Sequence, residues 1–224
     1  MFRSICLTIV QLAAPSIRLI LMVAIVASSL FIIAITFGIN YALTFLAHTG
    51  INWFDKILIW FGSMGAFLCA LILFPSFAQM ISGLFTDRIS NAVISTYYPN
   101  LTAERHIPIN EMIGYGIRFS FLSMFLNIVA LPFYFLLPGF NLIIFYILNS
   151  YLLGREYAEM IGLRTLDKIS MRLFWEANRT QIFLGGAIIT TIAFIPALNL
   201  TTPVAATTFA IHEHERLRRL AFSR

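Results

Sequence analysis

The sequence predicts an all-α integral membrane protein with two long transmembrane helices, two re-entrant helical hairpins and amphipathic interfacial helices. Three observations predict it. The 224 residues are 59% apolar and 11% charged, with a mean hydropathy of +0.86. A soluble domain of this size has no means of covering so much apolar surface. Long charge-free tracts alternate with short charged stretches, and fourteen of the fifteen basic residues fall on one side of the spans those tracts define. A soluble enzyme, a nucleic-acid module and a disordered tail are excluded. Residues 1–224 read as a single membrane domain.

Residues 1–18 (MFRSICLTIVQLAAPSIR) read as an interfacial helix. They lack a small-x-small cleavage site after a proper signal core, so they are expected to stay on the mature protein. Residues 19–47 hold 29 positions without a formal charge, and residues 57–86 hold 30. As helices each is about 45 Å long, whereas a crossing needs only ~20 residues. Both are expected to cross in full.

The next tracts differ. Phe119 to Gly154 has 36 residues, interrupted by Pro132 and by Pro138-Gly139. Thr180 to His212 has 33, interrupted by Pro196 and Pro203 around Asn-Leu-Thr-Thr. Two crossings with a turn need about 40 or more, and proline reads as a helix break. Hairpins at 119–153 and 180–212 that turn inside the membrane fit these lengths. Four short, tilted, complete spans are the alternative. Between them, residues 154–179 read as a cytoplasmic amphipathic helix, with Ile161, Leu166, Ile169, Leu173 and Phe174 at helical spacing. Only Lys56 falls in the loop between the first two spans, so the positive-inside rule puts both termini in the cytoplasm. Two crossings plus two hairpins and six crossings satisfy that rule equally.

No catalytic constellation, phosphate loop or nucleotide motif is present, so the chain reads as no enzyme and needs no cofactor. The net charge of +5 is assigned to anionic lipid headgroups rather than nucleic acid. Cys6 and Cys69 lie in apolar sequence and read as small core residues. His212 and His214, in His-Glu-His-Glu, read as a solvated helix end; a pair alone is no metal site. Glu104 and Glu111 read as solvated loop surface, and His48 marks the end of the first span.

Polar residues beside the helix breaks are the candidates for function. Asn199, Thr201, Thr202 and Thr207 surround the break in the last hairpin. Thr-Thr-Pro-Val has the form of a threonine cap with proline in the first turn, and a half-helix start offers N–H donors to an anion. The alternative is plain capping and interhelical bonding. Asn127, Asn141 and Asn149 lie within the third tract. Arg18 stands at the start of the first long helix. Its guanidinium either snorkels to headgroups or offers a rigid five-donor fork to a tetrahedral oxyanion.

Four runs of residues carry a resemblance. They are Pro15-Ser16-Ile17-Arg18, Gln79-Met80-Ile81-Ser82-Gly83-Leu84-Phe85-Thr86-Asp87-Arg88, Asn149-Ser150-Tyr151-Leu152-Leu153-Gly154-Arg155-Glu156-Tyr157, and Ile195-Pro196-Ala197-Leu198-Asn199-Leu200 followed by Pro203-Val204-Ala205-Ala206-Thr207-Thr208. Together they resemble the CysZ family of bacterial inner-membrane sulfate permeases, within the broader etoposide-induced-protein-like membrane family. The resemblance implies sulfate uptake for cysteine biosynthesis, two long spans with two hemi-penetrating hairpins, and assembly as a homo-oligomer. It implies protomers in opposed orientations as well. The family's Gly-Leu-Arg-Arg sulfate contact falls on Ser16-Ile17-Arg18-Leu19, so Arg18 carries over and the second arginine is absent. Glu156 falls on the family's acidic position, with a structural role expected: capping, or pairing with Arg155 or a neighbouring chain's arginine. The reading is an inner-membrane permease or channel for sulfate or a similar oxyanion. Arg18 is the binding contact, and Asn199 and the threonines line or hold the path. A non-transporting oligomeric membrane scaffold is the alternative.

Overall fold

The computed structural model describes the chain except residues 47–51, 100–107, 138 and 223–224. His48, Glu104, His106 and Pro138 therefore lie outside the described residues. Among those described, the protein is all-α, with ten helices. α1 (Phe2–Leu12) is amphipathic and short. α2 (Pro15–Leu46) and α3 (Asn52–Leu84) form an antiparallel pair, and α4 (Thr86–Tyr97) follows without a loop. α5 (Ile109–Leu136) and α6 (Asn141–Gly162) form the next hairpin, with α7 (Lys168–Ala177) after it. α8 (Arg179–Phe194), the one-turn α9 (Pro196–Asn199) and α10 (Thr202–Phe222) complete the chain.

α2 and α3 have 32 and 33 residues, about 48 and 50 Å. Small side chains let them approach: Ala24 and Ser28 of α2 and Ala70 and Ala78 of α3 are buried. Asn40 Nδ2 donates to Ser63 Oγ at 2.9 Å, and Phe31 meets Phe77 at 4.5 Å. Elsewhere both helices expose apolar side chains, Phe37 by 73% and Trp60 by 70%. That surface suits lipid or another apolar partner.

Three helices are long and apolar enough to cross a membrane, where sequence length predicts two long spans. They are α2 (Ile17–Phe45), α3 (Asn52–Leu71) and α5 (Ile113–Leu136). α5 runs through Pro132 instead of breaking there. That proline lies in the last turn and a half, so its missing amide costs one bond near an end that frays in any case. The turn comes at Gly139, whose φ of 105° suits glycine. Oriented to its neighbours, the Asn141 amide donates to the Leu137 and Tyr134 carbonyls at 3.2 and 3.1 Å, closing the end of α5.

The expected amphipathic helix at 154–179 is divided. Its first nine residues continue α6, and only Lys168–Ala177 forms a separate helix. The chain turns because the Leu166 and Thr165 amides both bond back to the Gly162 carbonyl, and Asp167 caps α7 by accepting from the Ser170 amide at 3.3 Å. α7 then folds back so closely that a Cβ on Gly162 would strike Met171 Sδ.

α6 and α8 cross at glycine. A Cβ on Gly186 would collide with the Ser150 carbonyl and lie 2.6 Å from the Gly154 nitrogen, while one on Gly154 would lie 2.5 Å from the Ile182 carbonyl. α10 sits at the centre, with α1, α3, α4, α6 and α8 packed around it. Ile17, Ile89, Val93, Ile161, Val204 and Ile211 join α2, α4, α6 and α10 in one apolar cluster. The two cysteines, expected in the core, are instead exposed and free. Their helices turn those faces outward, where a small apolar thiol suits lipid as well as protein.

Candidate functional site

The break between α8 and α10 is built from extended backbone at Ile195 and the single turn of α9. Asn199, part-buried, accepts a hydrogen bond from Gln79 Nε2 of α3 at 2.7 Å. This amide pair fastens the break to the second long helix. Gln79 has no role assigned from sequence, although it stands in a run that carries the family resemblance.

The threonines do not cap α10 as their spacing suggests. Thr201 Oγ1 donates back to the Leu198 carbonyl at 2.7 Å. Thr207, fully buried, donates to the Pro203 carbonyl at 2.7 Å. Thr202 is buried, and its hydroxyl has no partner among the described residues. Hydroxyls that satisfy their own helix compete with capping. Thr190 and Thr208 also carry buried hydroxyls without partners, on α8 and α10. This densely packed helix start therefore holds several unused hydrogen-bonding groups.

Arg18 lies in the first turn of α2, exposed, its amide bonded to the Ala14 carbonyl at 3.0 Å and its side chain without a hydrogen bond or ion pair among the described residues. Ile17, immediately before it, is fully buried in the cluster joining α2 to α10. The backbone is thus fixed while the guanidinium stays free. Glu156 is exposed on α6. Its neighbour Arg155 bonds Glu159 Oε1 at 2.8 Å and the Tyr151 hydroxyl at 3.3 Å, so an Arg155–Glu156 pair is not formed. Adjacent side chains on a helix diverge, whereas those four apart share a face. No hydrogen bond or ion pair among the described residues joins Arg18 to Glu156, Asn199 or the threonines.

The His-Glu-His-Glu run is a correction to the solvated helix end expected for it. His212, Glu213, His214 and Glu215 are only 2 to 5% exposed. The helices around α10 bury all sides of this segment, including those carrying charge. Tyr98 OH and His212 Nδ1 are 2.7 Å apart, and His212 Nε2 lies 3.0 Å from Gln11 Oε1. A neutral imidazole satisfies both contacts when Nε2–H donates to Gln11 and Nδ1 accepts from Tyr98. Burial lowers the pKa of both histidines to about 4. His214 Nε2 meets Thr165 Oγ1 at 2.9 Å, while its Nδ1 is unpartnered beside a small cleft of about 30 Å³. Glu213 accepts from Ser4 at 3.0 Å and from Arg216 at 2.5 and 2.9 Å, and Arg216 reaches Gln181 at 3.0 Å. These contacts tie α1 and α8 to α10. The sequence signal for them was two histidines two apart, pointing to nearly opposite sides of one helix.

The family described as Sulfate transporter CysZ/Etoposide-induced protein 2.4 matches residues 7–203, from within α1 to the first turn of α10. The chain belongs to this family. No curated protein and no solved structure matches it. As a multi-pass membrane protein of the CysZ/etoposide-induced family, it carries Arg18, Glu156, Asn199, Thr201 and Thr202 inside the matched stretch. Thr207 and the buried histidines lie beyond it.

Proposed function

We propose that this protein is a permease or channel for sulfate or a similar oxyanion in the bacterial inner membrane, with both termini cytoplasmic. Family membership over 197 of 224 residues supports the substrate class. The observation that carries the assignment within the molecule is Arg18, an exposed, unpaired guanidinium on a backbone held rigid by Ile17. Arg18 binds the anion through charge-assisted hydrogen bonds. A single cation holds it weakly enough for release. Asn199, with Thr201, Thr202 and Thr207, holds the break that the path passes.

Although α5 as a whole is long enough to cross, the lengths of the segments beyond the basic residues support two re-entrant hairpins. Arg118 and Arg155 both line one cleft. From there α5 runs 18 residues to Leu136 and α6 runs 14 residues back to Asn141, about 27 and 21 Å. Both fall short of a ~30 Å hydrocarbon core. α8, with 16 residues, spans about 24 Å and also falls short, and the apolar half of α10 is shorter still. Buried turns need protein around them, so the functional unit is a homo-oligomer, in which Glu156 faces a neighbouring chain's arginine.

The dense packing of α10 favours one other reading. Neither principal cleft is lined by Asn199, Thr201, Thr202 or Thr207, as expected of a non-transporting oligomeric scaffold. Labelled-sulfate flux into vesicles of purified protein separates the two. The permease gives saturable uptake, and Arg18→Ala lowers it about tenfold or more. Folded protein with no flux, or with leak indifferent to sulfate, leaves the scaffold.

A further inference from the structure

A cleft of about 410 Å³ lies away from Arg18, between α5, α6 and α7. Its charges are unevenly matched. Arg155 pairs with Glu159, Arg172 with Glu176 at 3.2 Å, and Lys168 with Glu111 at 3.8 Å. Arg179 also reaches Glu176, at 4.0 Å. Arg118 lines the cleft, is exposed, and has no ion pair among the described residues. Among the residues that line the cleft, four cations thus meet two carboxylates. The Arg172 and Lys168 side chains are 82 and 64% exposed, and pairs so exposed are weak enough for an incoming anion to displace. Trp175 stands within the cluster, with Arg155 5.6 Å and Arg179 4.7 Å from its ring.

Exposed apolar residues stand near the lining residues on the same helices. On α5, Phe121 and Phe125 follow Arg118 at three and seven residues, on the same face, and are 63 and 62% exposed. On α7, Ile169 and Leu173 are 73 and 61% exposed. A basic cavity flanked by an aromatic ring, with exposed apolar residues beyond it along α5, matches one class of ligand. A free inorganic oxyanion fills little of 410 Å³ and makes no use of those four side chains. An amphiphilic anion uses all of it.

We infer that this cleft holds the headgroup of an anionic glycerophospholipid, with the acyl chains lying along the exposed apolar faces of α5 and α7. Arg118 and Lys168 contact the phosphodiester. Trp175 sits at headgroup depth, where tryptophan is favoured. The bound lipid wedges α7 against α5 and occupies a site separate from the Arg18 contact.

Trp175 provides the test. Trp53→Phe and Trp60→Phe, both at exposed positions on α3, leave it as the sole tryptophan. The protein is reconstituted in phosphatidylcholine bilayers carrying a minor fraction of brominated-acyl lipid. Brominated phosphatidylglycerol should quench Trp175 about fivefold more effectively than brominated phosphatidylcholine at equal mole fraction. Arg118→Ala with Lys168→Ala should abolish that preference. Arg118→Lys, and Arg88→Ala on α4, should keep it. Inorganic phosphate or sulfate at millimolar concentration should leave the quenching unchanged. Equal quenching by the two lipids overturns the inference, as does a preference that survives the double variant. Loss of preference in Arg88→Ala reduces it to general surface charge, and displacement by inorganic phosphate or sulfate makes the cleft an oxyanion site instead.

Discussion

The most consequential side chains for stability are His212 and His214, which fold as neutral rings. Burial lowers both to about 4, whereas the unfolded chain titrates near 6.5. Between those values the unfolded state binds more protons, so stability rises with pH. It is fully present above about pH 6.5 and is lost as pH falls toward 4, by up to about 3 kcal/mol for each ring. The groups facing them do not reverse the sign. Tyr98 and Gln11 flank His212, and Thr165 and the Phe174 ring flank His214. Glu215 is pushed up by burial, yet its bonds to Arg218 and Arg219 hold it below its ordinary value, so it too loses stabilisation in acid. Thermal unfolding in detergent should therefore show the melting temperature falling steadily from pH 7 to pH 5. His212→Gln with His214→Gln should flatten that profile, and a flat profile in the unaltered protein would sink the account.

Among the elements, the α6–α8 crossing is the least tolerant of change. Gly186 faces backbone from Ser150 and Gly154, and backbone cannot swing aside as a side-chain tip can. Overpacking a flexible site costs about 1–3 kcal/mol, so Gly186→Ala should cost about 3 kcal/mol or more. Gly38→Ala in α2, where a Cβ meets nothing within 4 Å, should be neutral or slightly stabilising. The yield of monodisperse protein and its melting temperature would distinguish the two, and equal behaviour would refute the crossing. The same contrast shows what sequence can and cannot disclose. α2 and α3 were legible because an uncharged run of about 30 residues has few other uses in water. α4 was not, because residues 87–118 are polar on average and only packing against α10 makes Thr86–Tyr97 a helix worth forming. Pro132 misled because proline's cost depends on how near the helix end it falls. The place of Arg18 in the first turn of α2 was legible from Pro15, three residues before it. The burial of His212 was not, since it depends on Gln11 and Tyr98, residues more than a hundred positions away.

At the scale of the whole molecule, the exposed area is 14181 Å², against about 10,300 Å² for a compact soluble monomer of this mass. The excess lies on long apolar helices that stand out from the packed body around α10, and lipid or neighbouring copies must cover it. How deep the hairpins reach determines how much each covers, and labelling measures that depth. Cys6 and Cys69 are free and exposed, so both are first replaced by alanine. Single cysteines are then placed at Asn52, at the distal end of α3, and at Phe140 and Leu200, in the two hairpin turns. In the proposed topology the charge bias places Asn52 on the periplasmic side. In that topology the arms of the first hairpin, about 27 Å beyond Arg118 and 21 Å beyond Arg155, stop short of that side. An impermeant maleimide added to intact cells should label the cysteine at Asn52 and spare those at Phe140 and Leu200. Periplasmic labelling at either turn would make that hairpin a pair of complete crossings. Protection at both turns while Asn52 reacts fits a molecule with two helices through the membrane and two hairpins dipping into it from the cytoplasmic face.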